Sequence, residues 1–342
     1  MREVRVEDAV GQILCHDVTQ IIRGATKGAR FRKGHVIAEG DIPLLLSLGK
    51  EHIYVWEQDG TRLHEDDAAE ILRQICQNDY MEASDAREGK IELSAKIDGV
   101  FHVDEQRLNA INETDDIVIA TIPQCMPVKK GATLAGMRVV PLVIDKEKME
   151  DVRRLAGDGP ILSLRPYQKM RVGVVTTGSE IASGRIEDTF TPVLASKLQA
   201  FGLRVDEHRI SDDKRETTRA HIMELLELGM DMILCTGGMS VDPDDRTPAA
   251  IRATGASVVT YGAPVLPGAM FLLAYYEGAG KKIPILGLPG CVMYSTTTIF
   301  DVVLPRLVTG EELTRKEFRR MGIGGLCLNC KICHYPVCAF GK

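Results

Sequence analysis

The stretch Val172-Gly-Val-Val-Thr-Thr-Gly-Ser-Glu180 combines an apolar strand with a glycine turn. The same pattern returns in Met232-Ile-Leu-Cys-Thr-Gly-Gly-Met-Ser240 and in Ile283-Pro-Ile-Leu-Gly-Leu-Pro-Gly290. The carboxyl ends of parallel strands meet at one edge of a sheet, and helices that start there point their amide groups at a ligand. The turns therefore predict one polar crevice that holds an anion.

The apolar residues around these turns predict the fold of the C-terminal half. Predicted strands alternate with predicted helices, the last of which starts near residue 292. This alternation is typical of a mostly parallel sheet with helices on both faces, so we predict an α/β fold. The predicted strands are 171–177, 204–210, 231–236, 256–261 and 283–288.

The whole chain of 342 residues is too long for a single ordinary core. We predict a small α/β unit over residues 1–56 and a β-rich module over 57–165. In that module the apolar period changes to two, and Asp98-Gly99 predicts a hairpin turn. The α/β domain follows over 166–320, and a cysteine-rich tail over 321–342.

Composition limits the classes of partner. With 44% hydrophobic and 26% charged residues the chain is typical of globular proteins, and its net charge is −6. The negative charge argues against a nucleic-acid or anionic-membrane partner. The longest apolar runs are too short to span a bilayer, and the first residues lack the apolar core of a signal peptide. We therefore expect a cytoplasmic protein.

Polar side chains lie at the same glycine turns. Hydroxyls and backbone amides are the donors that an oxyanion such as phosphate needs. The acids nearby either cap helices or hold a divalent cation, as Mg²⁺ does when it bridges carboxylates to phosphates. Because carboxylates repel phosphates, an acidic phosphate site favours a metal. The candidate acids are Glu180, Asp188, Asp242 and Asp245.

A set of short motifs follows in order between Thr177 and Leu307. They are Thr177-Gly178 with Glu180, Gly184-x-Ile186-x-Asp188, Asp212-Asp213, Gly237-Gly238-x-Ser240-Val241 with Asp245, Pro267-Gly268, and Gly287-Leu-Pro-Gly290. In these motifs the segment resembles the molybdopterin-binding domain of molybdenum-cofactor biosynthesis proteins. The resemblance is strongest to the molybdopterin molybdenumtransferase branch.

The resemblance implies a ligand and a reaction. The ligand is molybdopterin, a pyranopterin with a dithiolene and a phosphate, in its free or adenylylated form. In the family, molybdate is inserted at the dithiolene and the adenylyl phosphoanhydride is cleaved with Mg²⁺ present. Tungstate has the same size and charge as molybdate and is an equal candidate. The resemblance further implies a homodimer.

The residues at the turns and the resemblance together give the expected site. Asp245, Asp188 and Glu180 are the catalytic candidates, and Asp242 and Asp245 are the candidate metal ligands. The expected ligand-binding residues are Thr177, Gly178, Ser179, Gly237, Gly238, Ser240, Pro267, Gly268, Pro289, Gly290 and Cys291.

The sequence departs from the family pattern at five positions. Ser179 replaces an acid, Phe190 ends the Asp-Ser-Asn element, and Asp242 replaces a glycine. Ala269 replaces a lysine, and Cys291 replaces an asparagine. A lost lysine removes a charge that would neutralise phosphate, and Phe190 and Ala269 are expected to make the crevice more apolar. These changes favour altered chemistry or a role in binding alone.

Three functions are therefore open. The first is a molybdopterin molybdenumtransferase-like enzyme. The second is a non-catalytic molybdopterin carrier, sensor or maturation factor that docks to molybdoenzymes. The third is a nucleotide-processing hydrolase on the same domain, as in nicotinamide-nucleotide deamidase relatives.

The tail carries four cysteines, Cys327, Cys330, Cys333 and Cys338, with Gly322, Gly324 and Gly325 ahead of them as an expected flexible hinge. Such crowding favours a metal over disulfides in a cytosolic chain. Iron–sulfur loops space cysteines this closely, whereas zinc ribbons separate two pairs by a longer stretch. Zinc and a tail without specific metal are the alternatives, and His334 is a candidate to replace one of the cysteine ligands.

The other cysteines are scattered, and each is expected to be a small buried apolar residue. For Cys291 we also predict a place at the crevice with a lowered thiol pKa, because it follows a turn at a helix start. The scattered cysteines are Cys15, Cys76, Cys125, Cys235 and Cys291.

Overall fold

The structure, a computed structural model, describes residues 1–22, 26–55, 60–240, 245–278 and 280–342. Within these ranges, no helix is long and apolar enough to cross a membrane. The chain forms two compact units. The first comprises Met1–Lys96, Val103–Ile122 and Lys130–Leu164, and the second comprises Ile97–His102, Pro123–Lys129 and Arg165–Lys342.

The strands and helices are numbered in chain order. The strands are β1 Arg2–Arg5, β2 Val18–Ile22, β3 Thr26–Phe31, β4 His52–Val55, β5 Arg62–His64, β6 Met81–Ala83, β7 Lys90–Ala95, β8 Gly99–Val103, β9 Ile117–Thr121, β10 Met126–Val128, β11 Thr133–Val139, β12 Val143–Asp145, β13 Leu162–Pro166, β14 Val172–Thr177, β15 Val205–Ser211, β16 Met232–Thr236, β17 Ser257–Tyr261, β18 Leu272–Gly278 and β19 Lys281–Leu288. The α-helices are α1 Ile42–Ser47, α2 Glu65–Cys76, α3 Glu105–Asn112, α4 Lys146–Ala156, α5 Ser179–Ala182, α6 Phe190–Gln199, α7 Arg215–Glu227, α8 Thr247–Ala253, α9 Ile299–Val308 and α10 Arg315–Arg320. Short 3₁₀ helices span Val6–Asp8, Glu39–Asp41 and Gly290–Met293.

The first unit begins with a small α/β core. β1 pairs antiparallel with β4, and α1 ends before Gly49, whose φ of +75° suits glycine. Leu14, Phe31, Leu45 and Ile53 are buried together in this core. A four-stranded antiparallel sheet in the order β6-β7-β11-β9 follows in the same unit. Alternate residues of β7 are buried, as its period of two predicts.

The predicted hairpin at Asp98-Gly99 is wrong. β7 pairs with β6 and β11, whereas β8 pairs antiparallel with β10. Every residue of β8 is buried, so the alternation that marks β7 stops at its end. A turn signal alone does not say which strands pair, because pairing depends on the apolar faces that flank it.

The second unit contains a six-stranded sheet in the order β15-β14-β16-β19-β18-β17. The first four strands are parallel to one another, and β18 and β17 continue the sheet antiparallel. The predicted α/β class is confirmed, with a mostly parallel sheet. β18 is not among the strands predicted from the sequence. The last predicted helix, α9, begins at Ile299 after a short 3₁₀ helix and not near residue 292.

Two apolar cores cover the two faces of this sheet. On one face Val174 of β14 packs with Leu194 of α6 and Phe300 of α9. On the other face the next residue, Val175, packs with Leu225 of α7 and Ile251 of α8. Successive side chains of a strand point to opposite faces, so a strand covered on both sides is apolar throughout.

The C-terminal tail packs against the rest of the second unit. Leu326 forms a parallel bridge with Leu266, and Cys327 N donates to Leu266 O at 2.8 Å. Phe340 is only 5% exposed within the core that contains Phe300. The expected glycine hinge is therefore wrong: a Cβ at Gly325 would lie 2.3 Å from Pro264 O, so this glycine permits close packing.

Candidate functional site

The glycine turns meet at the carboxyl edge of the parallel strands. Thr177 at the end of β14 lies beside Ser211 at the end of β15. On its other side Thr176 pairs with Thr236 of β16, which in turn pairs with Leu288 of β19. The strand ends are therefore in register, and the turns that follow them lie along one edge.

The second turn lies against the first one. Gly237 and Gly238 have φ values of +79° and +56°. A Cβ at Gly237 would lie 2.3 Å from Thr177 O, and one at Gly238 would lie 2.8 Å from Thr247 Oγ1. Thr177 Oγ1 also donates to Thr236 O at 3.0 Å. Glycine at both positions lets the backbone of the turn approach the first turn and the start of α8.

We predict that Gly237→Ala destabilises the second unit by about 1–3 kcal/mol and weakens ligand binding. Alanine is strained at positive φ, and its methyl group meets a backbone oxygen that cannot rotate away. Urea unfolding and ligand titration measure the two effects. Gly255→Ala is a matched control, since Gly255 also has positive φ but has open space around its Cβ position. Equal loss of stability in the two variants would contradict the close approach at Gly237.

The first turn is closed by a carboxylate. Ser179 N donates to Asp213 Oδ2 at 2.8 Å, and Gly178 N donates to Ser211 O at 3.1 Å. We predict that the Ser179 amide donates to a bound anion. In the structure it already donates to the carboxylate of Asp213, which comes from the loop after β15. The side chain of Glu180 is exposed on the short helix α5.

Asp188 anchors the start of α6. Its Oδ1 accepts from Phe190 N and Thr191 N at 2.8 and 3.1 Å, and its Oδ2 accepts from Thr191 Oγ1 and Thr176 Oγ1 at 2.6 and 3.1 Å. His208 Nε2 lies 3.3 Å from the same Oδ2. These partners satisfy the carboxylate from within the protein, which favours the capping alternative for this acid.

Burial and the neighbouring groups shift the pKa values of Asp188 and His208 in opposite directions. Burial raises the pKa of Asp188, but hydrogen bonds from Thr191, Phe190 and Thr176 prevail and hold it below its ordinary value. Burial lowers the pKa of His208, although the nearby Asp188 opposes that shift. At neutral pH the arrangement is therefore a carboxylate beside a neutral imidazole.

Asp245 lies next to the second turn. It is half-buried and comes two residues before α8, where Thr247 N donates to Gly238 O at 3.2 Å. Ser240 is exposed on the same loop. The other predicted metal ligand, Asp242, lies outside the described residues. A carboxylate beside a turn predicted to bind an anion has the chemistry of an Mg²⁺ ligand.

The Pro267-Gly268 turn reaches the same edge from the antiparallel side. Leu272, at the start of β18, pairs with Gly287 near the end of β19. The loop before β18 is therefore beside the turn after β19. Ile299 N, at the start of α9, donates to Pro267 O at 3.1 Å, and a Cβ at Gly268 would lie 2.4 Å from the Ile299 side chain.

Two expectations about individual residues are wrong. Burial raises the pKa of the half-buried Cys291 thiol, so the predicted lowered pKa is not found. Its turn is a single short 3₁₀ helix, Gly290–Met293, with few free amides to stabilise a thiolate. Phe190 is 6% exposed and packs in the core, so it does not line the crevice. Ala269 is half-exposed beside the Pro267-Gly268 turn.

Sequence reasoning missed the His208 side chain near this edge, whereas the Thr236 hydroxyl is among those expected at the turns. His208 comes from the middle of β15 and reaches Thr176 Oγ1 at 2.9 Å. The Thr236 hydroxyl is fully buried and has no hydrogen-bond partner among the residues that the structure describes. The run of four polar residues Asp206–Arg209 in the middle of β15 is the signal that could have pointed to His208.

The tail forms a cavity of about 390 Å³ beside the start of α9. Elsewhere Cys15, Cys76 and Cys235 are buried as predicted, whereas Cys125 and Cys291 are half-buried. Across the described parts of the chain, no three His, Cys, Asp or Glu side chains are gathered as ligands of one ion. The residues around the cavity include Tyr294, Thr296, Thr297, Cys327, Cys330, Cys333, His334, Tyr335, Cys338 and Phe340.

Comparison with known proteins supports the assignment of the second unit. Residues 173–309 match the family described as "Probable molybdopterin binding domain". Residues 3–57 match a "Domain of unknown function (DUF8806)". A CinA-like protein of Mycobacterium leprae (strain TN) is 35% identical over 77 residues, and one of Mycolicibacterium gilvum (strain PYR-GCK) is 32% identical over the same length. These matches cover 22% of this chain and 18% of each relative, so the chain spans under a fifth of the relatives' length.

Solved structures are similar to about two fifths of the chain. The molybdopterin biosynthesis enzyme MoaB from Thermus thermophilus is 23% identical, with a TM-score of 0.33, over 42% of this chain and 98% of that one. The tungsten cofactor synthesizing protein MoaB from Pyrococcus furiosus is 17% identical, with a TM-score of 0.34, over 41% and 91%. The sequence match over 173–309 and the motifs at one sheet edge lead to one assignment. Residues 173–309 therefore form a molybdopterin-binding domain of this family.

Proposed function

We propose that the second unit binds molybdopterin, free or adenylylated, and inserts molybdate or tungstate with the help of Mg²⁺. The observation that carries the proposal is the family match over 173–309, whose glycine turns lie along one sheet edge. The resemblance to the molybdenumtransferase branch supports the reaction. A homodimer and docking to molybdoenzymes are part of the same proposal.

The residues at the edge have separate roles in this proposal. The close approach of Gly237 and Gly238 leaves no room for side chains, so backbone amides there can face a phosphate. Ser240 adds an exposed hydroxyl. Asp245 would hold Mg²⁺, which neutralises phosphate charge when the phosphoanhydride breaks. Asp188 is a positioning residue, since its oxygens hold the start of α6.

A second candidate is a carrier that binds molybdopterin without turnover. The Ser179 amide is already occupied by the Asp213 carboxylate, which removes one donor from the anion site. Ala269 supplies no positive charge at the turn where the family has lysine. Both features weaken stabilisation of a phosphoanhydride transition state more than they weaken binding of the pterin.

The test is a single-turnover assay on the full chain. Adenylylated molybdopterin, molybdate and MgCl₂ are added, and AMP release and retained pterin are measured together. We expect AMP release that needs both molybdate and Mg²⁺. Retention of the pterin without AMP release would establish the carrier. No binding of the pterin would contradict both proposals and favour the nucleotide-processing hydrolase, for which nicotinamide mononucleotide is the next substrate to test.

A further inference from the structure

We propose that the C-terminal tail holds an iron–sulfur cluster ligated by Cys327, Cys330, Cys333 and Cys338. All four thiols line the cavity of about 390 Å³ at the start of α9. They come from one short segment spaced C-x2-C-x2-C-x4-C. The four ligands come from the tail and not from the glycine turns, although Cys327 N bonds to Leu266 O next to Pro267, and the proposal does not depend on the proposed function.

The spacing of the cysteines is the first argument. Three thiols recur every three residues, and a fourth follows after a longer gap. Cluster-binding loops bring four thiolates around one cluster with this kind of run. A single tetrahedral zinc ion, with Zn–S near 2.3 Å, would need the four sulfur atoms within about 4 Å of one another. In the described residues no three of these thiols are gathered as ligands of one ion, so the tail must draw them together around the larger body of a cluster, for which the cavity has room.

The tail is held in place at both ends of the cysteine segment. At its start Cys327 N donates to Leu266 O at 2.8 Å, next to the Leu266–Leu326 bridge. At its end Tyr335 OH donates to Asp301 O at 2.8 Å, and Phe340 is buried in the core. Cys330 and Cys333 lie between these anchors and are exposed. The exposed loop can therefore adjust around a cluster while its ends stay fixed.

The surroundings of the thiols suit a cluster. Thr297 Oγ1 lies 3.2 Å from Cys333 Sγ and can donate to it once that sulfur is a thiolate. Leu328, Ile332 and Val337 are 78%, 72% and 73% exposed beside the thiols. Apolar side chains around a metal site restrict solvent access, and Leu328 lines the same cavity as the four cysteines.

The test is anaerobic reconstitution of the full chain with ferrous iron, sulfide and a thiol reductant. We expect about four iron and four sulfide ions per chain, with broad visible absorption that fades in air. In the Cys330→Ser/Cys333→Ser double variant, less than roughly a tenth of the iron should remain. Because both residues are exposed, this variant is expected to fold, which near-UV circular dichroism checks.

Cys125→Ser is the matched control, since Cys125 is half-buried and lies outside the tail. It should keep the full iron content. One tightly held zinc per chain without iron would overturn the proposal, as would equal iron in the double variant and the native chain. A chain that takes up neither metal would overturn it as well. Pterin binding is measured on the same samples, so a failure of this site is distinguishable from a failure of the proposed function.

Discussion

Asp245→Asn is expected to abolish AMP release while molybdopterin binding changes by less than about tenfold, or roughly 1.4 kcal/mol. The asparagine keeps the size of the side chain and a hydrogen-bond acceptor. Its neutral oxygen is a poor ligand for Mg²⁺, which binds carboxylates and phosphates at short, regular distances. Quenched-flow measurement of AMP and equilibrium titration of the pterin separate the two effects.

The matched control is the same substitution at the opposite edge of the sheet. Asp231 is half-buried just before β16, and its Oδ2 accepts from Arg171 N at 2.9 Å. Asp231→Asn should leave AMP release within about twofold, since the amide oxygen can still accept that hydrogen bond. Full turnover in Asp245→Asn would show that Asp245 only supports the start of α8.

Removal of residues 322–342 is expected to destabilise the second unit by more than about 3 kcal/mol. The deletion takes Phe340 out of the core, where it is 5% exposed, and removes the Leu326 bridge from Leu266. Loss of a buried phenylalanine alone costs about 3–5 kcal/mol. Folded proteins are stable by only about 5–15 kcal/mol, so the truncated chain should unfold at a clearly lower temperature.

Calorimetry and urea unfolding of the metal-free protein measure this effect. Phe340→Ala should reproduce most of the loss with every tail cysteine in place. Leu328→Ala is the control, because Leu328 is 78% exposed and should change stability by less than about 0.5 kcal/mol. If truncation left the melting temperature unchanged, the tail would be a loose appendage and its packing against Leu266 would be unimportant.

The strands of the second unit were predictable where both of their faces are covered. β14 and β16 are buried throughout and mostly apolar because helices pack on both sides, and the glycine turns mark their ends. β18 was missed because a continuous apolar run such as Leu272–Gly278 does not distinguish a strand from a buried helix. Its pairing with β19 depends on contacts that local sequence does not contain.

The candidate site likewise has some features that the sequence predicts and others that only the tertiary structure shows. Local sequence was enough to predict the glycine turns, the edge at which they lie, and the family of residues 173–309, because periodicity and motif order are local properties. The packed structure was needed to show that Asp213 closes the turn at Ser179 across 34 residues, and that Phe190 and Phe340 are core residues. These outcomes depend on which distant groups share a buried volume, because burial and hydrogen-bond satisfaction are properties of the whole packed unit.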